Sequence, residues 1–128
     1  MSLLESGENY LEAILMLTKK NGCVRSIDVA AELCVTKPSV SRAMTILKRD
    51  NYITMEPDGH ILLTDKGMEK ASSVYERHII LTRFINEVLG VDKKIAEEDA
   101  CRIEHVISPE TFAGIKAKLK KASKKKNK

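Results

Sequence analysis

Pro38 stands between two short stretches of helical periodicity, and this arrangement limits what the chain can fold into more than any other feature. Upstream, Ile27, Val29, Ala30, Leu33 and Val35 recur at helical spacing behind Ser26, which reads as a helix N-cap. Downstream, Val40, Met44 and Leu47 share one side of a second helix, while Ser39, Ser41, Arg42 and Thr45 fall largely on others. Proline is tolerated at the first position of a helix, where an N–H would find no intrahelical acceptor. Thr36-Lys37-Pro38 therefore reads as a tight connection between two helices. The second is amphipathic and carries small polar groups and an arginine near its start, which is the helix-turn-helix pattern.

The next segment narrows the fold further. Tyr52-Ile53-Thr54-Met55 and His60-Ile61-Leu62-Leu63-Thr64 flank Glu56-Pro57-Asp58-Gly59, whose Pro-Asp-Gly is a strong turn signal, so a β-hairpin is expected directly after the second helix. Before the pair, Tyr10, Leu11, Ile14, Leu15 and Leu17 mark a helix over about 7–20 that Asn21-Gly22 stops. Asn9 and Glu12 share a face near its start. Helix, helix, turn, helix and hairpin in this order make a winged helix.

The remainder reads as helical. Met68, Ala71, Tyr75, His78, Leu81 and Ile85 recur at steps of three and four from Asp65 towards Leu89, and Gly90 ends the run. A further helix is expected from Asp92 to about Val106, and Ser108-Pro109 opens a last one with Phe112, Ile115 and Leu119 turned inward. The expected fold is mainly α: an N-terminal winged helix-turn-helix with a small β-hairpin wing over residues 1–66, then an α-helical domain over 67–120. Residues 121–128, nearly all lysine and polar, are expected to be disordered.

Charge supports nucleic-acid binding less than it first suggests. The chain carries +4 over 128 residues, but eight lysines and no acid lie between Lys116 and Lys128, which leaves residues 1–115 at −4. Between Arg25 and Lys66 six basic residues balance six acidic ones. The case for DNA rests on pattern. The N-terminus lacks a basic region and a small-residue cleavage site, so no signal peptide is expected, and no apolar run reaches the roughly 18 residues of a membrane span. A cytoplasmic protein with no membrane partner is expected. Cys23, Cys34 and Cys101 contain no C-x-x-C pair, which argues against a disulfide framework and a zinc ribbon. Cys23 and Cys34 read as small core fillers.

Cys101, Glu104 and His105 fall at i, i+3 and i+4, so one helix would present a thiol, a carboxylate and an imidazole on one face. Spacing alone favours the plainer reading, a core cysteine beside a solvated Glu-His pair. The chain as a whole narrows this. Glu8-Asn9-Tyr10-Leu11-Glu12, Pro38-Ser39-Val40-Ser41, Leu63-Thr64-Asp65-Lys66-Gly67, Arg77-His78, Leu89-Gly90-Val91-Asp92 and Asp99 through Ser108 together resemble the diphtheria-toxin-repressor family. The likeness covers roughly residues 4–120, is most specific around Cys101–Ser108, and is similar to the shorter branch without an SH3-like domain.

The resemblance implies a homodimeric, metal-dependent transcriptional repressor of metal-homeostasis genes and not an enzyme. It implies a main site of Cys101, Glu104 and His105 completed by residue 9, where the family has Met or Asp and this chain has Asn9. Glu12 and His78 match further ligand positions. Glu97 and Thr82 stand where an iron-type second site has His and Glu respectively. A thiolate at Cys101 favours Fe(II) over Mn(II) as the divalent metal. The implied partner is a palindromic double-stranded operator, with no small-molecule substrate. Pro38, Ser39 and Arg42 are the candidates for base edges and Thr36, Lys37 and Ser41 for phosphates. The alternative is a winged-helix regulator that ignores metal or senses redox state through Cys101.

Overall fold

The computed structural model describes residues 5–126, and these fall into two compact units that divide within one helix, at Ser73 and Val74. The sequence placed that division at residue 66, near the start of the same helix.

The first unit begins with α1 (Glu5–Asn21), two residues longer than expected at its start. Leu11, Ile14, Leu15 and Leu17 are buried along it, the stripe that the periodicity marked. α2 (Ser26–Leu33) and α3 (Lys37–Arg49) come next. The N-cap of α2 is Arg25, not Ser26, because the Asp28 carboxylate reaches back to accept the Arg25 backbone N–H at 2.9 Å. Cys34 ends α2 in the left-handed conformation at φ 55°. Thr36 caps α3, its hydroxyl accepting from the Ser39 N–H at 3.3 Å. Val40, Met44 and Leu47 are buried as expected, whereas Ile27 is 59% exposed. A helix as short as α2 covers only a narrow stripe, here centred on Val29, and Ile27 lies two residues off it.

The wing is a two-stranded antiparallel sheet of β1 (Ile53–Met55) and β2 (Ile61–Leu63), with Thr54 opposite Leu62. Ile53 and Ile61 point into the core. At the tip the Gly59 N–H donates to Glu56 O at 2.9 Å, and Gly59 takes φ 90°, which glycine adopts without strain. The Ile61 N–H donates to Val24 O at 2.8 Å, so the segment between α1 and α2 pairs with the free edge of β2.

α4 (Asp65–Arg83) starts under the wing. Thr64 donates to the Asn51 and Tyr52 carbonyls at 2.7 and 3.0 Å and accepts from the Gly67 N–H at 3.0 Å. Lys66 donates to Asp50 O at 2.9 Å, with its ammonium 4.3 Å from the Tyr52 ring centroid. Gly67 is buried, and glycine is needed there because a β-carbon would fall 2.9 Å from the Tyr52 carbonyl carbon and closer still to its oxygen.

In the second unit, from Val74, α4 ends in a π-helical turn (Phe84–Val88) where regular helix was expected to Leu89. The Leu89 N–H donates to Phe84 O at 3.2 Å and Asn86 Nδ2 to Val91 O at 2.9 Å, so the chain widens before Gly90 turns it at φ 74°. α5 (Lys93–Ile103) is capped by Asp92, and Ala96 and Ala100 form its buried stripe. Residues 104–106 are a turn, so α5 stops short of the expected Val106. α6 (Pro109–Lys126) is capped by the Ser108 hydroxyl, which accepts from the Thr111 N–H at 3.1 Å, and it packs on the π-helical turn. It runs past Leu119 to Lys126 where a disordered tail was expected. Lysine and alanine are good helix formers, and each like-charge pair one turn apart costs only a few tenths of a kcal/mol. Asn127 and Lys128, the end of that tail, lie outside the described residues.

Candidate metal centre and DNA-reading helix

Ala96, Ala100 and Glu104 are spaced four apart, so the stripe that packs α5 delivers the Glu104 carboxylate to the interior with no exposure. The last intrahelical bond, Glu104 N–H to Ala100 O at 2.9 Å, keeps Glu104 in register before the turn opens. Two imidazoles meet its two oxygens: His78 Nδ1 is 2.9 Å from Oε2, and His105 Nε2 is 3.2 Å from Oε1. The His105 side chain is 3% exposed and that of His78 24%. Arg77 Nη1 donates to the Glu104 carbonyl at 3.0 Å, tying α4 to the end of α5 at the same point. Thr82 is buried one turn beyond His78 and donates to the His78 carbonyl at 2.7 Å.

A carboxylate withdrawn from water is costly unless opposite charge or strong hydrogen bonding compensates it. Here two imidazoles lie against it, and a divalent cation would supply two positive charges. Glu104 and His78 offer an oxygen and a nitrogen donor 2.9 Å apart, a pairing that suits a first-row divalent metal, and His105 lies against the other carboxylate oxygen. These residues fit such an ion.

The structure does not place the three motif residues alike. Cys101 is exposed whereas Glu104 and His105 turn inward, because Cys101 sits about 100° around the helix from Ala100 on the buried stripe. Glu97 is also exposed on α5. In the first unit Asn9 is half-buried and Glu12 is buried at 6% exposure, so the predicted shared face of α1 is withdrawn from solvent. Cys23 and Cys34, read as core fillers, are both exposed. Cys23 lies in the connection after α1 and Cys34 at the left-handed end of α2, positions where the backbone turns away from the core. Arg77 was not marked as a site residue, because an arginine that binds a backbone carbonyl leaves no pattern in sequence.

The candidate DNA-reading helix, α3, lies open. Thr36, Lys37, Pro38, Ser41 and Arg42 are exposed and Ser39 is half-buried, its hydroxyl accepting from Thr36 Oγ1 at 2.9 Å. Arg42 also lines a cleft of about 750 Å³ with Tyr10, Arg49, Tyr52 and Lys66, two further cations that the sequence pattern did not single out. At the wing tip Asp58 accepts from the His60 N–H at 3.1 Å and lies 2.8 Å from its imidazole. That backbone hydrogen bond first, and the imidazole charge next, hold its carboxyl below the usual value of 3.8.

Two family models account for nearly all of the chain. Residues 2–61 match the iron dependent repressor N-terminal DNA binding domain, and residues 64–127 match the iron dependent repressor metal binding and dimerisation domain. Among relatives, the HTH-type transcriptional regulator MJ0568 of Methanocaldococcus jannaschii is 36% identical over 118 residues, 91% of this chain and 94% of its own length. The transcriptional regulator MntR of Escherichia coli is 37% identical over 105 residues, 82% of this chain and 67% of its own. The manganese regulator SloR superposes with a TM-score of 0.79 at 25% identity, covering 94% of this chain. A manganese-dependent transcriptional repressor solved with manganese gives 0.82 at 25% identity and 88% coverage. This chain spans about half the length of those two solved structures, 55% and 52%. No helix among the described residues is long and apolar enough to cross a membrane. With a helix-turn-helix and wing followed by a buried Glu-His cluster, and with both family models matched, the chain belongs to the iron-dependent repressor family, a family of metal-dependent transcriptional regulators rather than enzymes.

Proposed function

We propose that the chain represses transcription as a homodimer when a divalent ion occupies the site around Glu104. The buried Glu104 carboxylate between two imidazoles carries this reading. We assign His78, Glu104 and His105 as ligands. Cys101 joins them by family resemblance, with Asn9 and Glu12 contributed from α1 and Glu97 an outer acidic neighbour. The ion when bound supplies two positive charges that let the surrounding carboxylates share one site. The protein's own groups hold it: Glu104 as the buried anion, His78 and His105 as nitrogen donors, and Arg77 fixing the backbone at Glu104.

Binding at these residues raises DNA affinity through the equilibrium between the DNA-competent conformation and others, and a coupling of 1–3 kcal/mol gives a switch of roughly 5- to 150-fold. Pro38, Ser39 and Arg42 read base edges in the major groove, with Thr36, Lys37 and Ser41 on phosphates, and a two-fold dimer calls for a palindromic operator with half-sites about one helical turn apart. A thiolate at Cys101 tilts the preference to Fe(II) over Mn(II).

The test is selection of bound duplexes from a random pool, with anaerobic Fe(II), with Mn(II) and with chelator. Two-fold symmetric sites that appear only with metal are expected, Fe(II) acting at lower concentration. Affinity unchanged by chelator would sink the metal gate, and a Cys101→Ala variant with full metal response would remove that ligand.

A further inference from the structure

We propose that the exposed lysine face of α6 is a docking surface for the phosphate backbone of duplex DNA, separate from the base-reading face of α3. The inference rests on the DNA-binding reading above, and it concerns where the attraction to the polyanion comes from.

The first unit, which carries the reading helix and the wing, has nine Lys and Arg against ten Asp and Glu, and so is itself slightly acidic. A duplex presents one negative charge per about 1.7 Å of axis, and proteins that bind it draw much of their affinity from neutralising phosphates and releasing counterions. The reading unit has little net field to supply this. α6 has: between Pro109 and Lys126 it carries seven lysines and the single acid Glu110.

Its packing leaves charge available. Leu119 is buried at 3% exposure, and Phe112 and Ile115 are half-buried on the same side. Lys116, Lys118, Lys120 and Lys121 are exposed around the rest of the circumference. Lys116 is held by Glu76 at 2.7 Å, which fixes the helix by one lysine on its own unit. The backbone stays helical to Lys126, about 10 Å beyond Leu119, so the later lysines are borne on a chain already shaped as a rod. A backbone ordered in advance lowers the entropy given up when phosphates are bound. Charge complementarity, an ordered backbone and a DNA-binding unit without net positive charge select duplex DNA as the occupant.

The experiment replaces Lys118, Lys120, Lys121, Lys124, Lys125 and Lys126 together by Gln in the full chain, leaving Lys116 with Glu76. A second variant carries Arg at the same six positions. Binding to a duplex of arbitrary sequence, about 40 base pairs long, is measured against KCl concentration, with metal and with chelator. Each phosphate that is no longer neutralised takes about 0.9 off the slope of log affinity against log salt, and up to about eightfold off affinity at 0.1 M. The Gln variant is expected to flatten the slope by about 2 or more, and the Arg variant to leave it unchanged. A Gln variant with the wild-type slope, at unchanged helix content and dimer state, overturns the proposal. So does retention of the wild type on anionic phospholipid vesicles together with an unchanged slope on DNA, which would assign the face to a membrane surface. A reduced slope in a protein whose DNA binding ignores metal would refute the metal gate while leaving the docking face standing.

Discussion

Replacing Gly67 by Ala tests how the wing is held to the start of α4. The added methyl would sit 2.9 Å from the Tyr52 carbonyl carbon and nearer still to its oxygen, and both are backbone atoms with no rotamer to escape through. To relieve the clash, the first turn of α4 has to move away from the β1 entry by about an ångström. That movement strains the Thr64 hydroxyl bonds to Asn51 and Tyr52, the Gly67 N–H bond to Thr64 and the Lys66 bond to Asp50. Partial loss of these, at about 0.5–1.5 kcal/mol each, gives roughly 2–4 kcal/mol, against which alanine regains at most about 1 kcal/mol of helix propensity. The net expectation is destabilisation by about 1–3 kcal/mol. Gly114 in α6 is the matched control, because nothing lies within 4 Å of a β-carbon there and alanine should stabilise by up to about 1 kcal/mol. Urea unfolding followed by circular dichroism reads both. A Gly67→Ala protein as stable as the wild type would mean that the close approach at Tyr52 does not hold α4 to the wing.

Three further outcomes are expected. Arg42→Ala should cost about 1–3 kcal/mol on the selected operator and relax specificity at one base pair per half-site, as read by competition with single-substituted duplexes; a uniform loss at every position would make Arg42 a phosphate contact instead. Glu104→Ala should abolish the metal response and, by removing the buried carboxylate that His78 and His105 face, also weaken the metal-free fold; isothermal titration with Mn(II) and thermal unfolding separate the two effects, and undiminished Mn(II) affinity would exclude Glu104 as a ligand. Asp58 has its folded pKa lowered, so its contribution is present above the unfolded value near 3.8 and is lost as pH falls through the folded one; a carboxyl carbon titration by NMR with a midpoint at or above 3.8 would contradict the wing-tip geometry.

The helix-turn-helix and wing were legible because their signals are local. A proline after a capping threonine and a Pro-Asp-Gly between apolar runs specify backbone shape within four residues, and Thr36 and Gly59 adopt those shapes. The candidate metal centre was legible in composition but not in phase. Cys101, Glu104 and His105 look equivalent at helical spacing, yet the stripe set by Ala96 and Ala100 selects Glu104 and leaves Cys101 outside. Which of several nearby faces packs inward is decided by tertiary contact, and no single segment encodes it. The same holds for the Arg25 cap, where Asp28 competes successfully with the Ser26 hydroxyl, and for the π-helical turn, whose five residues carry no distinctive composition. The lysine run was read as structureless from its charge, although its intrinsic helix preference and the apolar anchor at Leu119 continue α6 through it.

The stripe Ala96, Ala100 and Glu104 has an evolutionary consequence. A ligand on a surface loop can drift away one substitution at a time while the fold persists, leaving a regulator deaf to its signal. Glu104 occupies a core position, so its removal leaves both a hole and two imidazoles facing it. A lineage escaping metal control would need coordinated replacements, such as an apolar residue at Glu104 together with changes at His78 and His105. Selection for a folded protein alone therefore tends to preserve this proposed ligand set, even through periods when a metal response is of no use.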